Sequence, residues 1–323
     1  MDHQKLKFKH KSFPDPRLRT KTMSSGQKRK QEHKRKQAAK KEKRRQAKVA
    51  EADRRQTVQQ ANWITPDEEP RNFLDTTGLG CDSIFRNYTK NNLSVHISYA
   101  SPSDLSAADL STMYNLTRAN MLEHYNKAAE ADPSDWTWSE KKKMSELQHP
   151  DARFLLARAT SSSLVGETKA ETDGDIVGFA HIRFELEGLY AVTYVYELQV
   201  AEAAQKHGLG QRMMQLTELA SAKLGMKWVM LTVFKANDAA GNFYTKMKYE
   251  LDETDPSVCD EGATDEPKPY NIMSKCIDRE ERARLDAIKF LNNAVAQDER
   301  EEQAARLKVT PTKAVSMQKK VSP

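Results

Sequence analysis

Residues 93–277 predict an α+β domain, a mixed central sheet flanked by helices, with a basic arm before it and a charged helical tail after it. Two patterns and one charge asymmetry lead there. Apolar runs of period two alternate with longer runs of helical period, in the order β-α-α-β-β-β-α-β-α-β-β. The join around Gly188 is tight enough to make two successive strands an antiparallel hairpin. Charge is segregated: of 323 residues, the first 60 hold 21 Lys/Arg against 6 Asp/Glu, and the remainder hold 31 against 40. The formal net charge of +6 is thus a basic arm added to an acidic body, which excludes a uniformly basic nucleic-acid-binding domain.

Taken in order, residues 28–55 combine strong helix formers with almost no large apolar side chain, so they predict either disorder or a solvated single helix. The arm is placed at 1–60 and a turn-rich lead-in, with room for one helical turn, at 61–92. Leu93, Val95, Ile97 and Tyr99 alternate as one face of a strand over 93–100. Ser103 or Asp104 opens a helix reaching about residue 129, with Leu105, Leu110, Met113, Leu116, Met121 and Leu122 on it. A short helix over 139–147 follows, then a strand over 152–159 and a polar loop over 160–174. Strands at 175–187 and 189–200 form the hairpin. A helix over 208–224 is opened by glycines, and 227–234 is a buried strand. A helix over 237–248, a short strand at 249–252, an acidic loop over 253–266 and a last strand over 270–276 complete the domain. In the tail, 278–323, Leu285, Ile288, Leu291 and Val295 recur at helical spacing; disorder is expected beyond Pro311.

Several classes fall away. The longest apolar run, Trp228–Phe234, is broken by Thr232 and is far below the roughly 18 residues of a membrane span. The first thirty residues are positively charged but lack an apolar core, so no secretory signal is expected. Cys81, Cys259 and Cys276 are odd in number and form no Cys-x-x-Cys pair, which argues against a disulfide framework and a structural zinc. An intracellular, metal-free protein without membrane contact is the expectation.

The chemistry concentrates in Tyr194-Val195-Tyr196-Glu197-Leu198-Gln199-Val200 and Gln205-Lys206-His207-Gly208-Leu209-Gly210. A strand runs into a loop, and the loop opens a helix through two glycines. The first helical turn offers unsatisfied N–H groups and a positive dipole end, which together hold phosphate. Glycine lets the backbone approach such a ligand, and Lys206 and His207 add charge or hydrogen bonds there. An isolated Gly-x-Gly needs no more than a turn to explain it. No Gly-Lys-Ser/Thr follows, and residue 213 is Met, so neither a P-loop nor a dinucleotide fingerprint is present.

The element order and the Gln-x-x-Gly-x-Gly turn resemble the Gcn5-related N-acetyltransferase superfamily over about residues 93–276. Four runs are similar to N-terminal acetyltransferase D: Trp136-Thr137-Trp138, His181-Ile182-Arg183-Phe184, Tyr194 to Gln199, and Met230 to Asn237. The resemblance implies a fold of that kind, acetyl-CoA as co-substrate, and transfer to the α-amino group of histones four and two-A, whose tails begin Ser-Gly-Arg-Gly. It implies a cofactor site of Leu198, Gln199, Val200, Lys206, His207, Gly208, Leu209, Gly210, Gln211 and Asn237. It implies a peptide site of Tyr125, Trp136, Glu185, Leu186, Glu187, Tyr194, Tyr196, Thr232 and Tyr270. Glu197 is implied as general base, with Glu185 and Glu187 as alternatives, and backbone N–H groups of Leu198 and Val200 as donors to the acetyl carbonyl. The sequence departs from the family at a longer spacer over 126–135, at Glu185 in place of aspartate, and at Gln205-Lys206 in place of a more arginine-rich pair.

Strict alternation raises a conflict, because Tyr194 and Tyr196 share a face and Glu197 takes the other. All three serve one site only if the strand is bulged or splayed. The acidic body, through Glu185, Glu187 and the loop from Asp252, suits a basic peptide. The basic arm suits nuclear localisation, or contact with nucleic acid, chromatin or ribosomes, so nucleus and cytoplasm are expected. Acetylation of lysine side chains or small amines, and a non-catalytic binding module, are the alternatives.

Overall fold

The computed structural model describes residues 25–62, 83–131, 136–160, 174–259 and 268–308. The expected polar loop (161–173), part of the acidic loop (260–267), residues 132–135 of the spacer and the tail beyond 308 lie outside the described residues, as do residues 1–24 and 63–82.

Helix α1 (Ser25–Asn62) contains the basic run. Contacts divide the chain within it, into residues up to Ala52 and residues from Asp53 onward, so the boundary read at residue 60 falls inside the helix. In the first unit the described side chains from Lys36 to Ala52 are exposed. The second unit starts with the last turns of α1. There Ala61 is buried and Val58 packs on the main core. Arg153 Nη2 donates to Asn62 O at 2.8 Å, and Asn62 Nδ2 donates to Phe184 O at 3.0 Å. Too few apolar residues occur in the run for composition to reveal this foothold.

The lead-in holds more structure than its turn formers suggested. Helix α2 (Ser83–Arg86) leads into strand β1 (Asn87–Lys90), which pairs antiparallel with β2 (Leu93–Ala100). The two-residue turn works because Asn91 and Asn92 both take positive φ, 48° and 65°, which asparagine tolerates. Helix α3 (Ala107–Ala131) starts later than 103, because Pro102–Asp104 is a separate 3-10 turn. Ser106 and Asp109 cap α3 reciprocally: Asp109 N donates to Ser106 Oγ at 3.0 Å and Ser106 N to Asp109 Oδ2 at 3.2 Å. Helix α4 (Glu140–Leu147) has Ser139 as its cap, accepting from Lys142 N.

Next come β3 (Arg153–Ala159), β4 (Ile176–Glu187), β5 (Tyr190–Val200), α5 (Leu209–Lys223), β6 (Trp228–Phe234) and α6 (Asp238–Lys246). The last elements are β7 (Glu250–Leu251), α7 (Pro256–Cys259), β8 (Tyr270–Cys276) and α8 (Arg279–Lys308). Among the described residues one eight-stranded sheet runs β1-β2-β3-β4-β5-β6-β8-β7. Its pairs are antiparallel except β5 with β6, so the sheet is mixed as predicted. Helices α5 and α6 cover one face over the main core; α3 and α4 cover the other, over a smaller cluster of Met113, Leu147, Phe154, Leu156 and Phe179.

Two irregularities in β5 shape the site. The parallel pairing ends at Val195–Leu231, so Tyr196–Val200 and Thr232–Phe234 part company and leave a cleft. The register with β4 also slips: Val195 faces Ile182 while Glu197 faces His181, which leaves Tyr196 as the extra residue of a bulge.

In α8 the expected stripe is formed but largely uncovered, with Ile288, Leu291 and Val295 exposed and Leu285 half-buried.

Candidate active site

At the upper end of β5 a cavity of about 940 Å³ gathers most of the predicted cofactor residues: Leu198, Gln199, Val200, Lys206, Gly208, Leu209, Gly210, Gln211 and Asn237. Gly208 caps α5 with φ +82°, a conformation that disfavours any side chain, and a Cβ there would lie 2.7 Å from the Tyr88 hydroxyl. Gly210 differs, because its nearest would-be Cβ contact is 3.7 Å away; it leaves the helix backbone open beside Leu198 and Val200. Asn237 Oδ1 accepts from Ala240 N at 3.1 Å, so it caps α6 as well as lining the cavity. His207 does not line it: its Nδ1 donates to Gln205 O at 2.7 Å, and its carbonyl accepts from Tyr88 Oη at 2.6 Å. That bond ties the turn to β1, whose Lys90 also lines the cavity, together with Asn120 and His124 of α3 and Lys246 of α6. Sequence reading missed these four because they come from elements far apart in the chain. The alternation of Tyr88 and Lys90 in β1 was the available signal.

Ala201 N donates to Val177 O. In an antiparallel ladder this makes Gly178–Val200 and Ala180–Leu198 the non-hydrogen-bonded pairs. The N–H groups of Leu198 and Val200 therefore turn away from β4, toward the cleft where β6 has departed. A helix N-terminus, two glycines, outward backbone donors and nearby lysines fit a phosphorylated cofactor carrying an acyl group.

The bulge resolves the conflict over faces. Tyr194 pairs with Arg183 and Glu197 with His181, both on the α3–α4 side of the sheet. Tyr196 joins them, stacked on His181 at 5.0 Å between centroids, with the Arg183 guanidinium 4.1 Å over its ring. Glu197 is buried. Its Oε1 accepts from Lys143 Nζ at 2.8 Å and its Oε2 from Gln199 Nε2 at 2.7 Å. Asn120 Nδ2 in turn donates to Gln199 Oε1 at 2.9 Å, so the Gln199 side chain is committed to holding Glu197. Lys143 was not read from the sequence, although it precedes Leu147 by one helical turn and so falls on the buried stripe of α4.

Beside Glu197 stands an aromatic cage. Tyr125 lies 6.2 Å from Trp136, 5.1 Å from Trp138 and 5.0 Å from Phe234, and Trp136 lies 5.1 Å from Tyr270. The long spacer therefore does not separate Tyr125 from Trp136. Trp136 Nε1 is buried with no hydrogen-bond partner among the described residues. The Tyr194 and Thr232 hydroxyls share a 2.6 Å hydrogen bond, and Tyr196 Oη donates to Glu185 Oε1 at 2.9 Å. Leu186 stands apart, because alternation turns it to the other face, against the main core. Asp252 and Asp255 of the acidic loop are also committed inward: Asp252 Oδ1 accepts from Thr254 N at 2.9 Å, and Asp255 Oδ2 from Ile272 N at 2.6 Å.

Burial pushes the Tyr125 hydroxyl up to about 12, Lys143 opposing and Glu197 adding to the rise. Burial also raises Tyr194, against the Thr232 hydrogen bond, and raises Tyr196, where Glu185 adds to it. All three stay protonated near neutral pH. Glu187 is raised by burial first and then by Glu185 and Asp252. Among the described residues no cluster of ligating side chains suits a metal, and no helix is long and apolar enough to cross a membrane.

Residues 120–249 match the family profile described as the Acetyltransferase (GNAT) family. They run from within α3 to the residue before β7 and include β5, the glycine turn, α5, β6 and α6. The segment that holds this site is thus similar to GNAT-family acetyltransferases, a fold that uses acetyl-CoA as its donor. Similar solved structures include a GNAT-family acetyltransferase of Listeria monocytogenes, at 12% identity over 59% of this chain and 99% of that one with TM-score 0.39. NAA60 of Arabidopsis thaliana in complex with a bisubstrate analogue matches at 14% over 56% and 99%, TM-score 0.37. Tetrahymena GCN5 matches at 11% over 56% and 95%, TM-score 0.38.

Proposed function

We propose that this acetyltransferase acts on the N-terminal α-amino group of histones four and two-A, whose tails begin Ser-Gly-Arg-Gly. The observation that carries the reading is the cage of Tyr125, Trp136 and Tyr270, whose Tyr125 ring lies 5.0 Å from the Lys143 ammonium that bonds Glu197, with the Tyr194–Thr232 pair as its polar edge. Such a cage suits a short, unbranched N-terminus threaded between flat side chains. Glu185 and Glu187 give its rim the negative charge that a following arginine requires.

Acetyl-CoA supplies the acetyl thioester when bound. Gly208, Gly210, Lys206 and Gln211 would hold its phosphates at the start of α5, and one of the outward N–H groups of Leu198 and Val200 its acetyl carbonyl. An α-amino group has a pKa near 7.7–8.0, so a carboxylate takes its proton at modest cost. Glu197, held by Lys143 and Gln199, is assigned that role, directly or through a water. The tyrosine hydroxyls orient the incoming amine and serine. Basic residues 1–60 play no part in this chemistry and are assigned to nuclear localisation or attachment to chromatin.

The test is acetyl transfer to a histone-tail peptide that begins Ser-Gly-Arg-Gly and continues through lysines, with a free and with a blocked N-terminus. Turnover of the free form alone is expected. Equal turnover of the blocked form through internal lysines would replace this reading with lysine acetylation.

A further inference from the structure

Among groups with no part in the proposed chemistry, the buried ammonium of Lys143 is the one most closely engaged with the site. It lies 2.8 Å from Glu197 Oε1 and 2.9 Å from Glu146 Oε2, and 5.0 Å over the ring of Tyr125. One side chain of α4 thus touches both the assigned base on β5 and the aromatic cage on α3. Stability alone is a poor explanation for it. Burying an ammonium costs several kcal/mol, and replacing a buried ion pair by apolar side chains is often neutral or better. A leucine or methionine would satisfy the stripe that Lys143 shares with Met144 and Leu147.

We propose that Lys143 is a positioning residue for catalysis, which fixes the Glu197 carboxylate against the cage where the amine must be deprotonated. The inference rests on Glu197 being the base. Lys143 and Gln199 each bond one carboxylate oxygen, so the group is held from two sides with lone pairs left for the amine or a water. Glu146 shares the ammonium and moderates its pull. The other ionisable or charged groups facing this pair are Tyr125 from α3, His181 and Arg183 from β4, and Tyr244 from α6. His181 is held neutral, well below its usual range, by burial and then by the charges of Arg183, Lys143 and His149. Burial opposes the charge on Lys143, yet Glu197, Tyr125 and Glu146 outweigh it, and the ammonium is held above its ordinary range. It therefore stays charged across the working pH.

The direction of the effect is set by charge. Without the ammonium, Glu197 accepts a proton more readily, so Lys143→Met should move the acidic limb of the kcat/KM profile toward neutral pH. A charge at this distance is worth on the order of 1–3 pH units. Glu146→Gln removes the competing carboxylate, so it should move the same limb the other way, by less. That second variant also covers the case in which Lys143→Met does not fold. Both are measured on the full chain beside Glu197→Gln, with acetyl-CoA affinity recorded in each. Opposite shifts at unchanged cofactor affinity support the proposal. If Glu197→Gln abolishes the acidic limb while the limb stays put in the folded variants, Lys143 is structural and this proposal alone fails. If Glu197→Gln keeps both turnover and limb, the base assignment itself falls, and this inference with it.

Discussion

The two ends of β5 are built on different principles. The upper end, from Leu198 to Gly210, works through backbone: outward N–H groups, a left-handed glycine and a helix N-terminus, contributed by neighbours in sequence. The lower end works through side chains from distant elements: Tyr125 of α3, Trp136 before α4, Glu185 of β4, Thr232 of β6 and Tyr270 of β8. A backbone site tolerates most side-chain changes that leave its dihedrals intact. A side-chain site fails one residue at a time. The bulge at Tyr196 is the hinge between them, since it turns Tyr194, Tyr196 and Glu197 to one side while Leu198 and Val200 keep their donors toward the cleft.

The largest effect is expected where the two ends meet. Glu197→Gln should lower kcat by about 10²–10⁴-fold, the usual cost of losing a general base, with acetyl-CoA affinity little changed. A near-normal rate and pH profile would move the role to Glu185 or Glu187. In the cage, Tyr194→Phe breaks the bond to Thr232 and should raise KM for the peptide about tenfold, the cost of roughly one hydrogen bond, at constant cofactor affinity. Loss of cofactor binding in that variant would mean that the two ends are not separable.

The glycines sharpen the contrast further. Gly208→Ala forces a strained φ and a clash with Tyr88, so it should cost about 1 kcal/mol or more of stability and weaken acetyl-CoA binding. Gly210→Ala meets nothing closer than 3.7 Å, so thermal stability should hold while affinity falls, isolating the cofactor's need for open backbone. Unchanged affinity there would remove the main support for phosphate at this turn. The smallest effects concern the arm. A chain beginning at Asp53 should acetylate a short peptide at the full-length rate while losing nuclear accumulation or salt-sensitive attachment to nucleosomes. One beginning after Asn62 loses the Asn62 bonds to Arg153 and Phe184 and should melt several degrees lower. Equal melting of the two chains would show that the end of α1 contributes nothing.

The same division separates what was legible in the sequence from what was not. Strands, helices and the glycine turn were legible because each is written in a contiguous period or spacing. The bulge was foreseen only as a condition, since nothing in Tyr194-Val195-Tyr196-Glu197 marks which residue is extra. Strand β1 was hidden because Asn91-Asn92 reads as generic turn chemistry until both take positive φ. Lys143 was hidden because a lysine in a run of three looks solvated, and only the facing carboxylates reveal otherwise. Leu186 was assigned with its acidic neighbours, but the period of two sends it to the core.

The central claim is that the cage presents an α-amino group, and not a lysine side chain, to Glu197. Its most direct test is incubation of intact, unacetylated histone four with acetyl-CoA and the full-length protein, with the modified nitrogen located by fragment mass spectrometry. One acetyl on the amine of the N-terminal serine, formed about 10²–10⁴-fold more slowly with Glu197→Gln, is the predicted result. Acetyl groups on internal lysines with the N-terminus left free would contradict it.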